Sequence, residues 1–113
     1  MAHQSYSRNT MDARILRANA GDYVKKVRIE QEMTQRDLAE ALNLKYYTFI
    51  SQLENGQGRL PPNLTVRTAI ALNQDPKEFA LKMLSYYDPH TYIAVTAGET
   101  LPEPETEPET EPE

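Results

Sequence analysis

The stretch TQRDLAEALNLKYYTFISQLENG, residues 34–56, decides the fold of this chain. Thr34 is a good helix N-cap, and Asp37 stands three residues later, where an acid completes a capping box. Asn43 tolerates the left-handed conformation in which many helices end. These signals predict a short helix between Thr34 and Asn43. Its apolar face is formed by Leu38, Ala39, Leu42 and Leu44.

A second short helix is predicted directly after the turn. It begins at Tyr46 or Tyr47 and ends at Glu54, because Asn55-Gly56 is a strong stop signal. Helical spacing turns Phe49, Ile50 and Leu53 towards the core. The outward side and the leading end are left with Tyr47, Thr48, Ser51 and Gln52.

The N-terminal part of the chain is expected to divide into an arm and a helix. Residues 1–11 are assigned to a flexible N-terminal arm. From Asp12 the apolar spacing predicts a helix that ends near Glu32. Gly21 weakens helix continuity, so residues 12–20 form either a separate helix or an extension of the following one.

Two further helices are predicted on the C-terminal side. The fourth covers residues 63–72 and buries apolar residues that include Leu64, Ile70 and Leu72. The fifth starts at Asp75-Pro76, an N-cap followed by proline in the first turn, and ends at Asp88-Pro89. The segment HTYIAV, residues 90–95, is expected to be a short extended piece that packs back on the body.

Composition excludes several classes of function. The chain has 113 residues, room for one domain, and it has no cysteine for a disulfide or a thiolate metal site. His3 and His90 are too far apart in sequence to suggest a metal site. No pattern assembles a nucleophile with a base or a phosphate loop, so neither an enzyme nor a cofactor is expected. No membrane span or secretory signal is recognised, which predicts a cytoplasmic protein.

The net charge of −5 is unevenly distributed. Residues 99–113 hold seven glutamates and no base, which leaves about +2 on the rest of the chain. Residues 98–113 repeat Glu, Pro and Thr and are expected to be a disordered acidic tail. This tail is either a solubilising extension or a mimic of phosphate that competes for a basic face. The mild positive charge of the body permits nucleic-acid binding through a local patch.

Five short helices without a convincing strand predict an all-α fold, with residues 12–97 as the folded domain. Within it, TQRDLAEALNL followed by FISQLENG resembles the lambda-repressor-like (Cro/XRE-type) helix-turn-helix of bacterial and phage regulators. The resemblance covers about residues 22–79. It implies a compact five-helix domain that binds double-stranded DNA as a transcriptional regulator, often as a homodimer. The remaining length leaves no room for a ligand-binding domain, so no small-molecule effector is implied.

The resemblance also implies a set of DNA contacts. The N-terminal part of the second helix of such a motif enters the major groove. The residues expected to contact bases are Tyr47, Thr48, Ser51 and Gln52. The residues expected to contact phosphates are Thr34, Gln35, Lys45, Tyr46, Asn55 and Arg59. An ion pair between Arg28 and Glu54 is implied as well, tying the first helix to the end of the third.

The family pattern slips by one residue within residues 44–48. A glycine near Asn43 and a Ser or Thr cap near Lys45 are absent, so the front of the recognition helix carries a one-residue uncertainty. One of Tyr46 and Tyr47 is expected to pack while the other touches DNA. The modest basic charge and the tyrosines on this helix also favour an alternative function, a protein–protein adaptor or antitoxin-like module on the same fold. A homodimer is expected to form through the fifth helix and the residues after it.

Overall fold

The computed structural model describes the backbone of residues 2–97 and the side chains of residues 13–97. This part of the chain contains no strand, so the predicted all-α class is confirmed. It holds six α-helices, one more than predicted, and one 3-10 turn. They are α1 (Ala2–Glu30), α2 (Gln35–Ala41), α3 (Thr48–Glu54), the 3-10 turn (Pro62–Leu64), α4 (Thr65–Ala71), α5 (Pro76–Tyr87) and α6 (Pro89–Ala97). The predicted acidic tail lies outside the described residues.

Helix α1 is a single helix of 29 residues. The backbone of residues 2–11 belongs to it, whereas the sequence predicted a flexible arm there. No glycine or proline occurs before Gly21, so nothing in that stretch interrupts the helix. Gly21 itself lies where α1 crosses α3, and a Cβ atom there would stand 2.4 Å from the carbonyl oxygen of Leu53. Gly21 therefore permits a close helix crossing and does not divide α1.

Helix α2 has the predicted boundaries. The amide of Asp37 donates to Thr34 Oγ1 at 2.9 Å, and the amide of Thr34 donates to Asp37 Oδ2 at 2.9 Å, so the capping box is complete. The helix ends at Ala41 with Leu42 as its C-cap, and Asn43 follows with a φ of 62°, in the left-handed region. Leu44 then donates its amide to the carbonyl of Ala39 at 2.8 Å, which closes the turn.

Helix α3 begins at Thr48, one residue after the later of the two predicted starts, Tyr47. Tyr47 occupies the N-cap position but makes no side-chain capping hydrogen bond, and its backbone is already helical. The helix ends at Glu54 with Asn55 as its C-cap, and Gly56 follows with a left-handed φ of 77°. A Cβ atom on Gly56 would stand 2.9 Å from Ala18 Cα, so α1 also approaches the end of α3 closely.

Helix α4 starts at Thr65, after the 3-10 turn, and its buried face differs from the prediction. Thr68, Ala69 and Leu72 are buried, whereas Ile70 is 63% exposed. The prediction that Ile70 is buried was wrong. Helix α4 has only seven residues and two overlapping apolar faces, so its spacing alone does not show which face is buried. Packing against α5 and α2 buries the face that carries the smaller residues.

Helices α5 and α6 are separated by Asp88 alone. The predicted start of α5 is confirmed, since Asp75 Oδ2 accepts from the amide of Glu78 at 3.0 Å. The extended segment predicted for residues 90–95 is wrong, because this segment is the middle of α6. Asp88 Oδ1 accepts from the amide of Thr91 at 3.2 Å. Asp88-Pro89 thus opens a helix as Asp75-Pro76 does, and it also ends the preceding one.

The core lies around α1, which packs on both α3 and α5, while α2 packs on α3 and α4 packs on α5. Phe79 of α5 is 1% exposed, and its ring lies 6.1 Å from that of Tyr23 on α1. The buried apolar residues are Ala20, Val24, Val27, Leu38, Ala39, Leu42, Ile50, Leu53, Leu60, Ala69, Leu72, Phe79 and Met83. Burial of this set fixes α2 and α3 against a rigid base.

Candidate nucleic-acid interface

The end of α3 is held by a buried ion pair with α1. Arg28 Nε donates to Glu54 Oε2 at 2.6 Å, and Arg28 Nη2 donates to Glu54 Oε1 at 3.0 Å. Arg28 Nη1 also donates to the carbonyl of Met33 at 2.7 Å, in the turn before α2. Arg28 is 8% and Glu54 is 4% exposed, so solvent screens this bidentate pair little. The pair fixes α3 relative to the start of α2.

Gln35 joins the same group of side chains. Its Nε2 donates to Glu54 Oε1 at 3.0 Å, and the residue is partly buried. The side chain expected to contact a phosphate therefore already donates to the clamp formed by Arg28 and Glu54. The second N–H of the amide and the backbone amide of this first α2 residue are separate donors.

Thr34 remains exposed at the start of α2 while its hydroxyl serves the capping box. Hydrogen bonds from the Thr34 backbone and then from its side chain lower the pKa of the Asp37 carboxyl. The negative charge on Asp37 stabilises the positive end of the α2 dipole. The Asp37 carboxylate lies in the first turn of α2, the end of the helix that a phosphate would have to approach.

One side of α3 is open to solvent. Thr48 and Gln52 are exposed and stand four residues apart, so they lie one above the other on one helix face. Ser51 is partly buried, and Asn55 is exposed just after the helix. The opposite side buries Ile50 and Leu53, which are 0% and 1% exposed. The four polar residues therefore present hydrogen-bonding groups on or beside a firmly packed helix.

The two tyrosines stand at the front of α3, and each lies beside a cation. Tyr46 is 67% exposed, with Lys45 Nζ 5.7 Å from its ring centre. Tyr47 is 45% exposed, and the guanidinium of Arg36 lies 5.3 Å from its ring centre. Cation–π contacts at exposed sites contribute about 0.5–1 kcal/mol each. These contacts bring two positive charges to the edge of the exposed α3 face.

Arg36 was missed by the sequence analysis. It is exposed at the second position of α2 and lines an open cleft with Thr34, Gln35 and Tyr47. The signal that could have found it is its place next to Gln35 in the first turn of α2, where backbone amides are unpaired. Arg67 was missed as well, and its Nη2 donates to the carbonyl of Leu42 at 3.1 Å. Arg67 therefore caps the C-terminal end of α2.

Arg59 lies apart from the tyrosines of the α3 face, in the loop after α3. Its guanidinium stands 4.5 Å from the ring centre of Tyr87 on α5. The Tyr87 hydroxyl accepts a hydrogen bond from the amide of Leu60 at 3.0 Å. Burial raises the pKa of Tyr87, and the hydrogen bond from Leu60 and the charge of Arg59 oppose that rise. Arg59 therefore contacts Tyr87 of α5 and remains exposed to solvent.

Comparison with known proteins gives one match. A family model described as helix-turn-helix matches residues 24–79, from the last two turns of α1 to the first turn of α5. Searches among curated proteins and among solved structures gave no match. Among the described residues, no helix is long and apolar enough to cross a membrane. In the same residues, no cluster of His, Cys, Asp and Glu has the arrangement of a metal site.

Proposed function

Since this chain belongs, through residues 24–79, to the Cro/C1-type family of DNA-binding helix-turn-helix regulators, we propose that it regulates transcription by sequence-specific binding to double-stranded DNA. In this proposal α3 enters the major groove, which is wide enough for one helix. We also place the protein in the cytoplasm, where a bacterial or phage regulator of this family meets its DNA.

The observation that carries the proposal is the combination of a clamped helix with an exposed polar face. The ion pair of Arg28 and Glu54, joined by Gln35, holds the end of α3. Thr48 and Gln52 are left exposed on the other side. Base readout needs side chains that keep a defined position over the groove, because hydrogen bonds to base edges depend steeply on geometry. A helix fixed at its end meets that need.

Base contacts are proposed for the exposed side of α3. Gln52 is the principal candidate, since a Gln amide can hydrogen-bond adenine bidentately. The methyl group of Thr48 can meet a thymine methyl, and Ser51 can donate to or accept from either base of a pair. Tyr47 stands at the front of the helix and reaches the edge of the groove.

Phosphate contacts are proposed around the exposed α3 face. Lys45 and Arg36 supply positive charge, and the backbone amide of Gln35 supplies a donor at the start of α2. Thr34, Tyr46, Asn55 and Arg59 complete this set in the proposal, each with an exposed side chain. Four of the members carry no charge, so we expect a modest dependence of binding on salt.

The proposal is tested by selection from a random duplex library, followed by fluorescence anisotropy on the selected and scrambled duplexes. We expect one enriched motif and an affinity that falls linearly with salt on logarithmic scales. Equal affinity for selected and scrambled duplexes would contradict sequence-specific binding. Absence of any DNA binding at low salt would contradict the proposal as a whole.

A second candidate is a protein–protein adaptor on the same fold. The exposed rings of Tyr46 and Tyr47 favour it, because aromatic residues are enriched in protein interfaces. The two functions predict that different substitutions abolish binding. Loss of DNA binding in Gln52→Ala supports the regulator, whereas retained DNA binding with loss of a protein partner in Tyr46→Ala supports the adaptor.

A homodimer also belongs to the proposal. Two copies related by a two-fold axis read two half-sites about one helical turn apart, which doubles the contacts made on a palindromic sequence. We propose that α5 and the residues after it form the contact between copies.

A further inference from the structure

Helix α6 carries no acidic or basic charge from Asp, Glu, Lys or Arg, and most of its residues are exposed. None of its nine residues is buried. Ile93 and Val95 are 47% and 63% exposed. Within residues 13–97, the helix packs substantially against α5 only. A helix without a charged face is usually buried on several sides, so α6 has the composition of an element that another surface covers.

An apolar groove lies beside the start of α6. It has a volume of about 280 Å³ and runs between the 3-10 turn and α5, and we call it the α5 groove. Apolar side chains dominate its lining, among them Leu60, Pro62, Ala80, Leu81 and Leu84. The charged residue in its lining, Arg59, is stacked on Tyr87. No residue of α6 lines this groove.

Neither α6 nor the acidic tail of the same chain is a suitable occupant. Asp88 alone separates α5 from α6, whereas two antiparallel helices need a connection of about two to five residues. Helix α6 therefore cannot turn back along α5 and fill the groove. Residues 99–113 hold seven glutamates, whose charges would face an apolar lining.

We propose that α6 of each copy lies in the α5 groove of a second copy, forming a two-fold homodimer. This inference rests on the proposed function, in which two copies bind adjacent half-sites. A two-fold axis brings each α6 to the groove of the other copy at once, so one operation covers both apolar surfaces. Both surfaces carry almost no charge, as the contact between them requires.

The dimensions agree with this exchange. A nine-residue helix is about 13 Å long, and the α5 segment Ala80–Tyr87 along the groove spans about 10 Å. The nine residues of α6 and the nine that line the groove give eighteen per copy. Stable interfaces use about 20–30 residues per partner, so this contact is slightly smaller than that class.

Sedimentation velocity on the full chain tests the proposal. We expect the wild type to be dimeric at tens of micromolar, and Ile93→Glu to raise the dimer dissociation constant about tenfold or more by placing a charge in an apolar contact. Ile70→Glu is the matched control, since Ile70 is also an exposed isoleucine, at 63% against 47% for Ile93, but lies on α4. A monomeric wild type overturns the proposal, as does a dimer that Ile93→Glu leaves unchanged.

Cross-linking tests which surfaces meet, without a charge in the groove. The chain has no cysteine, so Ile93→Cys and Leu81→Cys can be introduced singly into chains of different size. After mixing and oxidation, we expect a disulfide between the two different chains. Cross-links that join only Ile93→Cys chains to each other overturn the exchange.

Binding to a single half-site separates failure of this inference from failure of the proposed function. Ile93→Glu is expected to bind a half-site duplex like the wild type and to lose the added affinity for the two-half-site duplex. If neither protein binds DNA while the cross-link still forms, the proposed function fails and the dimer contact stands. If both bind duplexes of either kind with one affinity, the dimer proposal fails.

Discussion

Gln35 and Glu54 are joined by a hydrogen bond of 3.0 Å from Nε2 to Oε1. The first residue of α2 is thus held by the last residue of α3, through the same carboxylate that Arg28 of α1 holds. Three helices converge on one buried acid. The orientation of α3, and with it that of the proposed base-reading face, depends on this carboxylate.

Removal of either charge of the buried pair is expected to destabilise the fold strongly. Arg28→Ala leaves the Glu54 carboxylate, which is 4% exposed, without its charged partner, a change that typically costs about 3–5 kcal/mol. Urea unfolding of both single variants and of the double variant measures the coupling. Because the double variant leaves no lone buried charge, it should lose less than the sum of the singles. Additivity within about 0.5 kcal/mol would refute the coupling.

Gly21→Ala is expected to destabilise the protein although alanine is the better helix former. The added Cβ would stand 2.4 Å from a backbone carbonyl oxygen of α3, so α1 and α3 must move apart. Overpacking of this kind costs about 1–3 kcal/mol. Gly58→Ala is the matched control, because a Cβ there meets nothing within 4 Å. Equal unfolding free energies for the two variants would contradict the close crossing.

Stability is expected to fall in acid through the helix caps. Hydrogen bonds lower the pKa of Asp37 below its ordinary value of 3.8, and Thr91 does the same for Asp88, first through its side chain and then through its backbone. A carboxyl whose pKa is lower in the folded state than in the unfolded state stabilises the fold at pH values above its unfolded-state pKa. That contribution is lost as the pH falls through the folded-state pKa.

Urea unfolding of Asp37→Asn over a pH series measures this contribution. The variant should be less stable than the wild type at neutral pH, and the difference should shrink below about pH 4. Asp22→Asn, on the exposed side of α1, is the control and should leave the acid profile close to that of the wild type. A constant difference between Asp37→Asn and the wild type at all pH values would contradict the assignment.

Gln52→Ala and Lys45→Ala are expected to weaken DNA binding in different ways. Loss of a bidentate base contact lowers discrimination against the wrong base by about 1–3 kcal/mol. Loss of a phosphate contact weakens binding to all duplexes alike and reduces the salt slope by about 1. Lys77→Ala, exposed at the start of α5, is matched to Lys45→Ala and should change neither quantity. Anisotropy titrations on selected and mismatched duplexes distinguish these outcomes, and a wild-type profile for Lys45→Ala would remove it from the interface.

Local signals accounted for most helix boundaries. The capping box of Thr34 and Asp37, the left-handed Asn43 and the cap at Asp75 depend on residues a few positions apart, so the sequence alone predicted them. At Asp88-Pro89 the sequence predicted only the end of a helix. That pair both ends α5 and begins α6, and only the following residues distinguish a stop from a stop with a new start.

The sequence by itself determined the all-α class, the helix-turn-helix pair and the caps, because these depend on spacing and on backbone preferences of neighbouring residues. The tertiary structure alone decided that Gly21 is a crossing point, that Ile70 is exposed, and that Gln35 donates to Glu54. The contacts of Gln35 and Gly21 are made with atoms of residues 19 or more positions away in the sequence. The exposure of Ile70 depends on which face of the short helix α4 packs against its neighbours. Such distances are set when helices pack together, and no local pattern encodes them.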